Sequence, residues 1–542
     1  MLAKCIAPVK RQFVLDEAQV AARKKEGRDG EEAKESNRKR KEREKAERER
    51  QRNGERCLPE GLKVERNVPR YGLLWDLRGN YHRFATADAV LAKMGITPKH
   101  GYKQKPPPKP KPTDEGTDAP DAKRTRTDAA ADGPQAAAAS DAGPTAAERG
   151  PAGRPVGAAA DAMPRPHIDF SGKLYLAPLT TVGNLPFRRV CKRLGADITC
   201  SEMALATNLV QGHKTEWALL RRHPDEDMFG AQIAGGFPDA LARCADVLID
   251  ELGDGIDFID VNCGCPIDLI VNKGAGSALL CRPKKLEQVA QSLVSTSNGR
   301  IPITLKLRTG YQDNTNVAHE IVPLAKAWGV AAVTLHGRSR AQRYSRLADW
   351  SYVRRCSAVS TVPMIGNGDI YDFEDYVRAT APTDEPGGME DAPVASVMVA
   401  RGALVKPWVF KEIKERRRWD ISSSERFTLL RDFVKYGFEH WGADDRGVET
   451  TRRFLLEWLS YLHRYIPVGL LEVLPQRMNW RPPYYHGRDD LETLMASERP
   501  TDWIELSTRL IGRPPPQGFR FTPKHKSSSY EGAKASDEGA NG

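Results

Sequence analysis

From residue 174 to about residue 400 the chain alternates short apolar runs with amphipathic stretches, and this alternation limits the possible folds more than any other feature. The runs fall at 174–177, 198–202, 228–233, 258–262, 303–307, 332–335, 363–366 and 396–400. Stretches with helical spacing lie between them, as at 185–194, 240–251, 285–295 and 318–328. Strands separated by helices pair in parallel. Eight such units predict an α/β chain built as a (β/α)8 TIM barrel, not a six-stranded doubly wound sheet. No G-x-G-x-x-G opens a helix here, which argues against a Rossmann domain.

The flanks have a different texture. Residues 23–56 are dominated by Lys, Arg, Glu and Gln, and 103–165 by Pro, Ala, Gly, Asp and Lys. Neither can bury a core, so residues 1–165 are expected to be mostly disordered. Residues 58–94 hold aromatics and some periodicity that the sequence alone does not place. The barrel is predicted over 168–415. A helical domain follows over 416–515, with helices at 422–440, 448–464, 489–496 and 502–510, and then a basic tail over 516–542.

The 542-residue chain carries a formal charge of +11, which suggests a polyanionic partner such as nucleic acid. Nine scattered cysteines do not make a disulfide framework, so a reducing compartment is expected: cytoplasm, nucleus or both. No apolar run is long enough to span a bilayer, and residues 1–15 lack the pattern of a secretory signal.

Polar residues gather where each run ends. Gln232 closes the third run, Asn262 the fourth, Lys306 and Arg308 the fifth, and His336-Gly337-Arg338 the sixth. Asn367-Gly368-Asp369 follows the seventh and Arg401-Gly402 the eighth. Buried parallel strands are otherwise apolar, so these groups converge on one mouth, the reaction face of such barrels. The fourth run also delivers Cys263 and Cys265, and Pro266 stops the strand. A thiol there can give a proton, take one, or attack a substrate.

Glycine-rich turns after the seventh and eighth runs sit where barrels hold a phosphate through backbone N–H groups. A lysine across the mouth can stabilise negative charge on a reduced isoalloxazine ring, and amides such as Gln232 and Asn262 can bond its edge. FMN fits this division of labour; a sugar phosphate is the alternative.

Several motifs carry a resemblance. Over about residues 168–526 the chain resembles the tRNA-dihydrouridine synthases, most of all their eukaryotic type-three branch. The resemblance rests on Ala177-Pro178-Leu179-Thr180-Thr181-Val182-Gly183-Asn184-Leu185-Pro186-Phe187-Arg188, Asn262-Cys263-Gly264-Cys265-Pro266, Lys306-Leu307-Arg308-Thr309-Gly310, His336-Gly337-Arg338-Ser339-Arg340 and Gly366-Asn367-Gly368-Asp369. In the helical part it adds Arg452-Arg453-Phe454-Leu455-Leu456-Glu457-Trp458 and Arg481-Pro482-Pro483-Tyr484-Tyr485.

The resemblance implies an FMN-binding barrel and a helical tRNA-binding domain. Pro178, Leu179 and Thr180 would approach the flavin ring, and Gln232, Asn262 and Lys306 would contact it. His336, Asn367, Gly368, Asp369, Ala400 and Arg401 would hold the ribityl phosphate. Cys265 would be the general acid that protonates uracil C5 while C6 receives hydride, with NADPH or NADH restoring the flavin. Its substrate would be uridine in tRNA, at the variable-loop position forty-seven, and some uridines of mRNA. Lys273, Arg308, Arg338 and Arg340 are the expected tRNA contacts, with Arg282 and Arg343 on the same rim and Arg452, Arg453 and Arg481 in the helical part. A monomer is expected.

Three features depart from the family pattern. Cys263 replaces an aliphatic residue and reads as core. Leu280-Cys281-Arg282 replaces Met-Asn-Arg. No CCCH zinc finger can be built from Cys5 and Cys57, so no metal is expected. Two other functions compete: a flavin barrel acting on a free pyrimidine-like molecule, and a non-catalytic RNA binder.

Overall fold

A computed structural model describes residues 6–17, 19–20, 65–99, 101, 103, 168–382 and 392–524. Nine parallel strands run through it: β1 (Leu174–Leu176), β2 (Ile198–Cys200), β3 (Ala204–Leu205), β4 (Met228–Ala234), β5 (Phe258–Asn262), β6 (Ile303–Arg308), β7 (Ala332–His336), β8 (Met364–Asn367) and β9 (Ser396–Val399). Strand β1 pairs with both β2 and β9, and β2 pairs with β4, so eight strands close into a barrel. The two-residue β3 pairs with the last residues of β4. Every residue of β5, β7, β8 and β9 is buried, as strands covered on both faces require.

The register aligns the functional ends. Gln232 lies beside Asp260, Asn262 beside Lys306, Arg308 beside His336, and His336 beside Asn367. The helical stretch expected at 318–328 is shorter. An α-turn covers Ala318–Ile321 and a 3-10 turn Val322–Leu324, because Pro323 has no N–H to continue the ladder.

The helices Ser423–Trp441 and Asp445–Leu462 pack together beside the barrel. Trp458 is the joint. Its indole N–H donates to Leu404 O at 3.0 Å, and its ring meets Phe187 edge-on at 5.3 Å. Arg189 reaches across to Glu439 at 2.5 Å and lies 3.8 Å from the Tyr436 ring centroid.

Two stretches of the region 1–165, expected to be mostly disordered, are ordered. Residues 65–99 contain helices Leu73–Arg78 and Ala85–Lys93, whose Leu73, Leu77, Ala87 and Leu91 are buried in the main core against helix Pro238–Leu252. Asp246 caps this contact by accepting the Ala87 N–H at 3.0 Å, and Arg243 pairs with Asp88 at 2.9 Å. Residues 6–15 also pack, with Ala7 and Val9 buried against Leu470, Trp480 and Tyr485. The remainder of 1–165, including the charged run at 23–56, lies outside the described residues. No helix among the described residues is long and apolar enough to cross a membrane.

Candidate active site at the barrel mouth

A buried carboxylate starts a chain of hydrogen bonds that ends at the thiol loop. Asp260 interrupts the apolar strand β5. One of its oxygens accepts from Thr304 Oγ1 at 2.7 Å, the other from Gln232 Nε2 at 2.8 Å. A carboxylate can only accept, so Gln232 must turn its amide nitrogen toward it and its oxygen away. That oxygen accepts from Asn262 Nδ2 at 3.0 Å. Asn262 Oδ1 therefore faces the loop and accepts the backbone N–H of Cys265 at 2.8 Å and of Gly264 at 3.2 Å. Each amide retains one N–H that these bonds do not use.

The thiol loop is held from other sides too. Arg308 Nε donates to Gly264 O at 2.7 Å and its Nη1 to Ser339 O at 2.7 Å. The Ser277 hydroxyl donates to Cys265 O at 2.9 Å. Cys265 is partly exposed, whereas Cys263 is fully buried in the core. Burial pushes the Cys265 thiol above its ordinary range, against the Ile267 N–H and the Arg308 and Lys306 charges. It carries its proton at neutral pH.

Charge on the mouth is lopsided. Burial, then Arg308, lowers Lys306 to about 8; its one hydrogen bond among the described residues goes to Asn367 Oδ1 at 3.5 Å. Burial and the Arg308, Lys306, Arg338 and Arg401 charges drive His336 well below its ordinary value, so its imidazole is neutral. Burial also raises Asp260 to about 6.

On the opposite arc, Asp369 bridges two arginines. It accepts from Arg338 at 2.5 Å, from Arg401 at 3.0 Å and from the Ala348 N–H at 2.8 Å. Asp369 has φ +50° and Gly368 φ +133°, a turn that brings backbone to the strand ends. The Asn367 amide donates to Met398 O at 2.7 Å. Tyr344 lies over this group, with Arg401 3.9 Å from its ring centroid and His336 stacked at 6.3 Å. Two carboxylates, Asp260 and Asp369, against Lys306, Arg308, Arg338 and Arg401 leave the mouth positive, which suits an anionic ligand. An FMN phosphate fits beside Arg401 and the Gly368–Asp369 turn, and a ring with acceptor edges fits the spare N–H groups of Gln232 and Asn262.

Expected contacts fare unevenly. Pro178, Leu179 and Thr180 line the turn after β1, closed by the Leu179 carbonyl, which accepts the Gly183 N–H at 2.8 Å. Ala400 and Arg401 begin the short helix Arg401–Val405. Two of the expected tRNA contacts are buried. Arg338 is fully buried, with its guanidinium consumed by Asp369 and Arg346 O. Arg308 is buried too and holds the thiol loop. Arg452 is likewise fully buried, donating to Ser507 at 2.8 Å and Arg513 O at 2.6 Å. Arg340 stays on the rim, pairing with Asp268 at 2.5 Å. Lys273, Arg343, Arg453 and Arg481 are exposed.

Sequence reading missed the roles of Asp260, Thr304, Ser277 and Tyr344. An acid inside an apolar strand was a legible signal for the first. The others sit in ordinary polar contexts and left none.

Comparison with known sequences completes the picture. The Dihydrouridine synthase (Dus) family matches residues 175–460. A rat protein named tRNA-dihydrouridine(47) synthase [NAD(P)(+)]-like is 58% identical over 365 residues, which are 67% of this chain and 55% of the relative. A rice protein of the same name is 55% identical over 369 residues, 68% of this chain and 52% of the relative. A tRNA-dihydrouridine(47) synthase [NAD(P)(+)] of Coprinopsis cinerea is 50% identical over 374 residues, 67% and 54% of the two chains. The chain thus spans about half the length of the curated relatives it matches.

Proposed function

The chain belongs to the dihydrouridine synthase family, and on that premise we propose that it reduces the C5=C6 bond of uridine in tRNA, at the position 47 that its relatives' names carry. The observation that carries this reading is the partly exposed, protonated thiol of Cys265, pinned on a positively charged barrel mouth. Bound FMN would supply the two-electron exchange, taking hydride from NADPH or NADH and passing it to uracil C6.

The chain's own residues do the rest. Arg401, beside Asp369 and the Gly368 turn, would anchor the cofactor phosphate. Gln232 and Asn262 would offer their spare N–H groups to the ring edge, and Lys306 would stabilise negative charge there. Cys265 Sγ would deliver the proton to C5 and recover one from solvent. A thiol does this best when its proton is still on at working pH. Arg340 on the rim and Arg453 and Arg481 on the helical part would contact the RNA backbone, which supplies affinity without sequence choice. Some mRNA uridines with a similar fold would be acceptable substrates.

The test is direct. Purified protein should be yellow, release FMN on denaturation, and form dihydrouridine in tRNA from cells lacking the gene when given NADPH. Protein that binds no flavin after reconstitution would sink the reading. Reduction of free uridine as fast as of tRNA would favour a small-molecule enzyme.

A further inference from the structure

A cavity of about 470 Å3 opens beside the thiol loop, between the turn after β4 and residues 270–275. Gly235, Gly236 and Phe237 form one wall; Lys273 and Arg282 line the other. At Gly236 the two walls meet backbone to backbone, since a Cβ there would come within 2.6 Å of Lys273 O. Two more cations stand at the edge. The ammonium groups of Lys99 and Lys285 lie 3.6 and 3.9 Å from the Phe237 ring centroid.

Among the described residues none of these four cations forms an ion pair. Asp239, whose charge reaches Lys285, accepts the Lys99 backbone N–H at 3.2 Å. Burial, then the Arg282 and Lys99 charges, lowers the Lys285 pKa. Among the described residues Asp239 is the one acidic group facing these four positive charges, so the patch stays positive and attracts an anion. The volume lies within the range of roughly 300–1,000 Å3 typical of small-ligand pockets.

We propose that this cavity binds the phosphate-bearing adenosine half of the nicotinamide dinucleotide that reduces the flavin. The inference rests on the function proposed above and deepens it. The cavity lies on the β4–β5 arc of the mouth, opposite Arg401 and the Gly368–Asp369 turn, which suit the flavin phosphate. The two anion sites are therefore separate, and a dinucleotide held at the first can extend toward the mouth. The loop of Lys273 leads on to Ser277, whose hydroxyl holds Cys265 O, so the cavity flanks the reaction centre without occupying it. This assigns Lys273 and Arg282 to the reductant instead of to tRNA. A 2′-phosphate adds negative charge where the cations crowd, so NADPH should be preferred to NADH.

Anaerobic flavin bleaching should be measured for wild type, Arg282→Gln and Arg282→Glu/Lys285→Glu, with NADPH, NADH and adenosine 2′,5′-bisphosphate as competitor. In wild type the bisphosphate should compete with NADPH. In the double variant the NADPH concentration for half-maximal bleaching should rise about tenfold or more, as expected for losing charge-assisted bonds, and NADH should suffer less. Single-turnover uridine reduction by dithionite-reduced protein, and the tRNA Kd, should not change. A weakened tRNA Kd with NADPH use intact would overturn the proposal in favour of an RNA phosphate site. No change in either would mean a solvated cation patch and also overturn it. Retained flavin absorbance establishes that the variants fold; Arg282→Gln is the mild variant if the double one does not. Wild-type protein that NADPH fails to bleach would refute the broader reading instead.

Discussion

At the scale of single residues, two cysteines two positions apart have different fates. Side chains at that spacing share a face in an extended segment, so periodicity does not separate them. Burial does: Cys263 is enclosed by core, and Cys265 stands on the loop beyond the strand. Replacing Cys265 by Ala should preserve flavin binding and NADPH oxidation while dihydrouridine formation falls by a factor of roughly 10²–10⁴. Cys263→Val should cost less than about 1.5 kcal/mol of stability and little turnover. Mass analysis of digested tRNA checks both, and the reverse outcome would refute the assignment.

Asp260 makes the second prediction. Its carboxyl titrates at about 6; the ionised form accepts from both Thr304 and Gln232, and the neutral form can donate its hydroxyl to Thr304 while still accepting from Gln232. The hydrogen-bond order that holds the Cys265 loop is thus present on both sides of that pH. Lys306, Cys200 and Cys263 surround the carboxyl, and none of them changes charge near pH 6. Single-turnover uridine reduction should therefore show no acid limb near 6 that traces to Asp260. Asp260→Asn can likewise accept from Gln232 and donate to Thr304, so it should keep activity. Stability does follow the titration: the folded protein holds this proton between pH 3.8 and about 6 when the unfolded chain does not, so stability declines as pH rises through that window. An acid limb near 6 that disappears in Asp260→Asn would overturn this account.

At the scale of elements, the barrel strands were legible because strands buried on both faces leave continuous apolar runs. All eight barrel strands lie within two residues of the expected bounds. The helices Trp350–Ala358 and Phe373–Thr380 were not read, although each has an Asp cap, at Asp349 and Asp372. Their apolar spacing is short and diluted by arginine and serine. The reach of the site was legible for residues at strand ends, where position alone implies the mouth. It failed for arginines, since a sequence does not distinguish a guanidinium that contacts RNA from one that satisfies carbonyls inside a loop, as Arg308 and Arg338 do. The loop geometry itself predicts a phenotype. Gly276 has φ +58°, and a Cβ there would meet Cys265 O at 2.8 Å and Cys265 Cβ at 3.1 Å. Gly276→Ala should displace the thiol and lower uridine reduction roughly 10- to 100-fold, the cost of a misplaced group of about 1 Å. Flavin loading should survive, because the anchoring turn lies on β8 and β9. Loss of both together would show that the loop is not an independent element.

At the scale of the whole molecule, the segment 65–99 behaves as part of the barrel's shell, though the intervening residues 104–167 separate it in sequence. Leu77 and Leu91 are fully buried in the same core cluster as helix Pro238–Leu252, and Asp246, Arg243 and Glu251 bond to the segment from that helix. A chain begun at residue 168 would leave that helix face exposed. Leu77→Ala and Leu91→Ala should each cost about 2–5 kcal/mol, the usual penalty for emptying a leucine site in a packed core. Because one core is shared, loss should appear as a lower midpoint of a single unfolding transition, with flavin release and loss of helical signal coinciding. The same segment ends at Lys99 on the Phe237 ring, so its removal takes one cation from the cavity beside the thiol loop. Denaturant melts of the two variants and of the chain begun at residue 168, followed by circular dichroism and flavin fluorescence, test this. A truncated protein that melts like the full chain and binds FMN equally well would show that residues 65–99 cover the barrel without supporting it.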